Sequence, residues 1–243
     1  MKHIIGSVLL SGALILTATT PLVAHAADTT AAANTTGSTK VTATFTANTG
    51  TIDPVDPNNP NVPDPGSTDN GAKPGGGLSL IYVTDQLDFG THQIDVLNPN
   101  TYAANYVDST TSTNSANVSH LWNSKAVIQV SDVRGTNAGW HLTVQGAQLT
   151  GADGTSLTGA TLALKGGSLT NSGTTSNGVV SSDVANAIND SSNLILNAPV
   201  NDGAGVTVDQ IDPSNITLTV PANVAKAQAY STTLNWTLAD TPS

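Results

Sequence analysis

The sequence predicts an all-β protein, an antiparallel β-sandwich, and three observations carry that prediction. Short stretches alternate apolar with polar residues, and turn dipeptides separate them. Not one Glu occurs among the 17 acidic residues, while Thr, Asn, Ser, Gly and Val abound, a composition that disfavours helices and suits strands and turns. Helical periods do not alternate with the strand patterns, so an α/β layering is not expected.

The strands follow in order. Leu78, Leu80 and Tyr82 share one parity, as do Ala126, Ile128 and Val130. The pattern returns at Trp140, Leu142 and Val144, at Leu162 and Leu164, and at Leu194 and Leu196. It closes with Ile216, Leu218 and Val220, then Leu234, Trp236 and Leu238. The interleaved Thr, Ser, Asn, Gln and His residues predict strands with one face in the core and one in water. Asp153-Gly154, Asn177-Gly178 and Asp202-Gly203 are turn signals, and Arg134-Gly135-Thr136-Asn137 reads as a loop between paired strands. One helical turn is expected at residues 182–189, where Val184, Ala185 and Ile188 fall on one face behind a Ser182 cap, too short to govern the architecture. About eight to ten strands over residues 78–243 make one sandwich domain of ordinary length.

Residues 1–26 read as a signal peptide: Lys2, an apolar run from Ile4 to about Leu16, and a small-residue ending at Ala24-His25-Ala26. The run is shorter than the roughly 20 residues of a spanning helix. Residues 27–77 read as an N-terminal segment with a disordered start, one strand at 41–46 and an Asp/Pro/Gly-rich disordered linker. The strand expectation rests on Val41, Ala43 and Phe45 alternating with Thr, and a lone strand must add to a sheet, either that of its own domain or that of another molecule. The linker expectation rests on Asp53-Pro54-Val55-Asp56-Pro57-Asn58-Asn59-Pro60 and on Gly75-Gly76-Gly77. Its Asp residues lack the spacing of a calcium loop. No later segment reads as a membrane span, and neither a Leu-Pro-x-Thr-Gly anchor motif nor a lipidation cysteine occurs.

Seven basic residues stand against the 17 acidic ones, a net charge of −10, which repels nucleic acid and other polyanions. With no cysteine, stability must come from packing. His92, His120 and His141 are not spaced as metal ligands, no Gly-x-Ser-x-Gly elbow occurs, and the Asp residues scatter through turns. The sequence therefore assigns no catalytic residue, no metal site and no cofactor, and it describes a binding protein, not an enzyme.

Two tripeptides repeat at a distance, Trp140-His141-Leu142 and Trp236-Thr237-Leu238. In a strand each projects its Trp and Leu to one face. Around them stand Leu87-Asp88-Phe89-Gly90, Val130-Ser131-Asp132-Val133-Arg134-Gly135 leading to Gly139, and Leu218-Thr219-Val220-Pro221 leading to Tyr230. This set resembles the WxL domain of Gram-positive surface proteins, from about Leu78 to the end. The resemblance implies an extracellular protein held on the cell wall without a covalent bond, with peptidoglycan as ligand and other wall-associated surface proteins as partners. It implies Trp140, Leu142, Trp236 and Leu238 as the ligand-binding motif residues. A protein-binding subunit of a surface complex, attached to the wall only indirectly, is the alternative. Read from the residues alone, a Trp and a Leu on one strand face are ordinary sandwich core. Asp132 and Arg134, two apart, are expected to form a local ion pair that shapes the loop before Gly139, and the two tripeptides are expected on neighbouring strands or at one end of the sandwich, with Trp140 and Trp236 in one apolar surface.

Overall fold

The computed structural model describes residues 36–64, 69–108, 119–173 and 178–243. The signal-peptide segment and Asn177 lie outside them. The chain divides into two units, residues 1–44 and residues 45–243. In the first, described residues 36–44 are exposed and carry no strand. The second holds all the regular structure among the described residues. Its strands are β1 (Val55–Asp56), β2 (Asn59–Pro63), β3 (Leu78–Val83), β4 (Asn100–Ala103), β5 (Tyr106–Asp108), β6 (Ser119–Leu121), β7 (Ala126–Asp132), β8 (Trp140–Gly146) and β9 (Thr150–Gly151). They continue with β10 (Thr161–Leu164), β11 (Ser168–Asn171), β12 (Val180–Ser181), β13 (Asn193–Ala198), β14 (Gly205–Ile211), β15 (Ile216–Val220), β16 (Tyr230–Ser231) and β17 (Leu234–Ala239). The one 3-10 turn among the described residues, Pro213–Asn215, is capped by the Asp212 carboxylate, which accepts from Ser214 N.

Two four-stranded sheets form the sandwich, in the orders β11-β14-β7-β3 and β12-β13-β8-β17. Their contacts are antiparallel throughout. A three-stranded antiparallel sheet, β10-β15-β4, joins the same core. Ala126, Ile128 and Val130 of β7 meet Trp140, Leu142 and Val144 of β8, Leu196 and Ala198 of β13, and Ile216 and Leu218 of β15 in one apolar cluster. On β13 the register shifts between Leu194 and Leu196, so Leu194 lies opposite Thr143 and turns away from the face of Leu196, while Ile195 and Leu196 both enter the core. On β8, β15 and β17 the alternation read from the sequence turns one parity inward.

Strand β7 departs from it, because all seven of its residues are buried. Its second face, with Val127, packs in another cluster with Val206 and Val208 of β14, Ile81 and Tyr82 of β3, Trp122 and Val55. Val55 belongs to the stretch expected to be a disordered linker. Instead β1 and β2 form a hairpin closed by Asp56, whose carboxylate accepts from Asn58 N, and Val55, Pro57 and Pro60 are buried. Proline cannot donate in the middle of a sheet but can lie across one. The docking bonds come from side chains of the sheet below. Gln129, fully buried on β7, donates from Nε2 to Val55 O at 2.8 Å and accepts from Val55 N at 2.9 Å, while Gln210 Nε2 donates to Pro57 O at 3.0 Å. The glycine run is also held: Val133 N donates to Gly77 O at 2.7 Å, and Gly75 N to Ser79 Oγ at 2.8 Å.

Three further expectations are corrected. Residues 41–46 form no strand, and Val41 and Phe45 are 87% and 93% exposed. The register of β3 shifts between Leu80 and Tyr82, so Tyr82 sits opposite Gln129 and turns away from the face of Leu78 and Leu80. There it meets Trp122 edge to face, centroids 4.8 Å apart. Residues 182–189 are not helical. Val184 bridges Leu164, Ala187 N donates to Leu162 O, and Ser182 N donates to Ile195 O, so strand edges take the backbone groups that a helix would have used.

Asp209, on the core-facing side of β14, is fully buried. Its Oδ2 accepts from Ser181 Oγ of the opposite sheet at 2.8 Å, and its Oδ1 has no partner. Gly167 leaves room for the carboxyl, since a Cβ there would fall on Ser181 Oγ and Asp209. Burial raises the Asp209 pKa to about 6, against the lowering influence of the Ser181 hydroxyl and the Gln210 backbone N–H. The folded state therefore holds this proton more tightly than the unfolded chain, whose Asp pKa is about 3.9. The sign is a loss of stability as pH rises from about 4 through about 6, worth about 2–3 kcal/mol, then a plateau.

Two measurements follow. Thermal unfolding as a function of pH is expected to show the wild type several degrees less stable at pH 7 than at pH 5, and Asp209→Asn to remove most of that difference. An equal slope in both proteins would place the titrating group elsewhere. Gln129→Ala strands two buried backbone groups of Val55 and is expected to cost about 2–4 kcal/mol. Limited proteolysis should then cut within residues 53–64 first, and wild-type resistance there would show that the hairpin does not depend on Gln129.

Candidate functional site

The approach to the first tripeptide is built by an ion pair. Arg134 donates from Nε to Asp132 Oδ1 at 2.9 Å and from Nη2 to Asp132 Oδ2 at 2.7 Å, a two-pronged contact with a buried carboxylate. The same Nη2 donates to Gly139 O at 2.9 Å. The Asp132 carboxylate raises the Arg134 pKa above its already high ordinary value. The guanidinium thus ties the end of β7 to the start of β8 across the Gly135 turn, as the two-residue spacing implied. Gly139, at φ +78°, lies so close to Ala198 O and Pro199 that a side chain would collide with that backbone.

Trp140 is wholly enclosed. Its indole Nε1 donates to Gly203 O at 3.1 Å, which removes the one polar group that burial would otherwise leave unpaired. Gly203 adopts φ +77°, and a Cβ there would strike the indole. The sequence marked Asp202-Gly203 only as a turn. Its role as the seat of Trp140 was hidden because the two residues lie 63 positions apart. His141 turns to the opposite face, where Nδ1 lies 2.5 Å from Thr241 O.

The second tripeptide lies beside the first. Strands β8 and β17 pair antiparallel with Leu142 opposite Leu238 and Val144 opposite Trp236. Trp140, Leu142, Leu238 and Trp236 therefore share one face. Their burial is unequal: Trp140 and Leu142 are 0% exposed, whereas Trp236 and Leu238 pack against the same core but stay only partly covered. The cause is position in the sheet, since β8 is an inner strand and β17 an edge. Asn235 and Thr237 of β17 and Gln145 of β8 are exposed on the other face.

The remaining signature segments support this region from a distance along the chain. Leu87 and Phe89 pack on the core, and Asp88 Oδ1 accepts from Gly90 N at 2.7 Å. After Val220-Pro221 the chain returns through a polar knot. Lys226 Nζ and Gln228 Nε2 donate to the Asp153 carboxylate at 2.9 and 2.8 Å, and the Tyr230 hydroxyl accepts from Lys226 N. The Gln228 and Lys226 bonds hold the Asp153 pKa well below the usual carboxylate range.

Among the described residues no group of three or more His, Asp, Glu or Cys side chains is placed to hold a metal ion, and no helix is long and apolar enough to cross a membrane.

Comparison with protein-family models gives a match described as WxL domain surface cell wall-binding, over residues 32–242. The matched span takes in the β1–β2 hairpin as well as both tripeptides. No curated protein and no solved structure matches the chain. With this match over most of its length, and with its two Trp-x-Leu tripeptides paired in one sheet, the chain belongs to the WxL family of cell-surface, wall-binding proteins and has its place outside the cell at the wall.

Proposed function

We propose that the chain is retained without a covalent bond by direct contact with peptidoglycan, made along the lip of the sandwich where Trp236 and Leu238 are incompletely covered. The observation that carries this reading is the unequal burial of two tripeptides lying side by side. A partly open indole offers a flat apolar surface to a sugar ring. Trp140 and Leu142, on the neighbouring inner strand of the same sheet, hold that surface in place. Around the sheet edge, on its other face, Asn235, Thr237 and Gln145 carry uncharged donors and acceptors, suited to hydroxyl and amide groups. Contact with such neutral groups needs no basic patch, in keeping with a net charge of −10. The role is retention, and we assign no residue to catalysis.

A second reading, attachment through another wall protein, draws support from residues 91–99. Asp95 fixes this loop: its carboxylate accepts from Leu97 N at 2.8 Å, Asn98 N at 2.9 Å and Asn100 Nδ2 at 3.3 Å, and its carbonyl accepts from Asn223 N. These bonds, Asn98 N first, lower the Asp95 pKa. The loop so held exposes Ile94, Val96 and Leu97, the last at 82%. Aliphatic side chains held in water on an ordered loop suit a protein surface.

Sedimentation with peptidoglycan stripped of protein tests both. Direct contact predicts that the wild type co-sediments, that Trp236→Phe keeps its thermal midpoint while binding several-fold more weakly, and that Trp140→Phe loses about 1–3 kcal/mol of stability through its missing hydrogen bond and volume. Binding per folded molecule is expected to be unchanged in Trp140→Phe. Wild type that sediments only with walls still carrying their proteins would establish the indirect reading.

A further inference from the structure

The sheet that carries both tripeptides ends in an open edge. Strand β17 pairs with β8 on one side, and among the described residues no backbone group of Leu234–Ala239 bonds to anything on the other. Other edges are covered or shorter. The outer side of β3 is taken by Gly71 N, which donates to Val83 O, and by Asn70, whose side chain bonds Val83 N and Ile81 O. The outer side of β10 is taken by Val184 and Ala187. Strands β4 and β11 have four residues each and β12 has two, against six in β17. An open, regular edge of that length is a template for another strand.

The chain also carries an unpaired strand sequence of the same length. Residues 41–46, Val-Thr-Ala-Thr-Phe-Thr, alternate like β17, Leu-Asn-Trp-Thr-Leu-Ala. Each places three apolar residues on one face, Val41, Ala43 and Phe45 in the first and Leu234, Trp236 and Leu238 in the second. Each has polar residues interleaved. Residues 36–50 form no strand, and Val41 and Phe45 stand almost fully in water. A phenylalanine and a valine at this spacing on an exposed, β-prone segment are a face without its counterpart.

We propose that residues 41–46 of one copy add to the free edge of β17 in a second copy, as a fifth strand of the β12-β13-β8-β17 sheet. Side-chain parity fixes which way the added strand faces. Val41, Ala43 and Phe45 extend the apolar lip beside Leu234, Trp236 and Leu238, while Thr42, Thr44 and Thr46 continue the polar face of Asn235 and Thr237. The backbone supplies affinity, and the apolar triad supplies register. Donor and acceptor are different surfaces of one molecule, so each copy that receives a strand still has one to give, and addition repeats head to tail.

Sedimentation velocity over a concentration series, combined with hydrogen exchange at β17, tests this on the purified chain. The expected result is an average mass that climbs beyond the monomer with concentration, and β17 amides that exchange about tenfold or more slowly once association is established. Phe45→Asp is expected to abolish both effects with an unchanged thermal midpoint, because Phe45 is not part of the folded core. Phe45→Leu is expected to retain association. A chain that stays monomeric throughout overturns the proposal. So does one whose β17 is protected independently of concentration with a lowered midpoint in Phe45→Asp, since the segment then adds to its own copy. Association that survives Phe45→Asp overturns it too.

Discussion

Everything in this fold is arranged around the burial of β7 on both faces. A strand with water on one side needs one partner layer, whereas a strand sealed on both needs two, and a polar group it carries inside costs stability when left unpaired. The first layer is the opposite sheet, with Trp140, Leu142 and Val144. The second is supplied by a segment with few apolar residues and many prolines, which docks because Gln129 offers it an amide pair shaped like a strand neighbour. One polar side chain inside a seven-residue buried strand thus converts a stretch of low hydrophobicity into a structural layer. Asp132, at the end of the same strand, does a comparable service by gripping Arg134 and directing the chain into β8.

The sequence was most readable where side-chain polarity and burial agree. Strands β8, β15 and β17 follow from their alternation, and β3, β7, β10 and β13 were found by it although a register shift or burial on both faces interrupts the pattern. Strand β14 did not. Its inward residues include Thr207 and Asp209 beside Ile211, while Val206 and Val208 face the other way into the second cluster, so neither parity reads as the core face. The β1–β2 hairpin was illegible for a related reason. Its docking depends on the side chain of a residue 74 positions later, and local composition carries no trace of that partner. At residues 182–189 the apolar residues were found but not their conformation. Val184, Ala187 and Ile188 are buried, yet long-range backbone pairing outweighs the local preference for a helical turn.

The two Trp-x-Leu tripeptides have the same spelling and different environments, which shows how little a motif says without its place in a sheet. On the inner strand the motif is packing: an enclosed indole, its N–H paired, fitted against a glycine that tolerates no side chain. On the edge strand the same residues face the same core with one flank uncovered. The first therefore anchors the sheet on which the second is carried.

The pairing of β8 with β17 has a kinetic side. Thr143 and Thr237, adjacent across those strands, are 94 residues apart in the chain, so β8 emerges long before one of its two neighbours exists. Contacts this distant form late and slowly, because the loop must close before any burial rewards it. Until β17 arrives, β8 keeps one edge unpaired, and the face that later carries both tripeptides is incomplete.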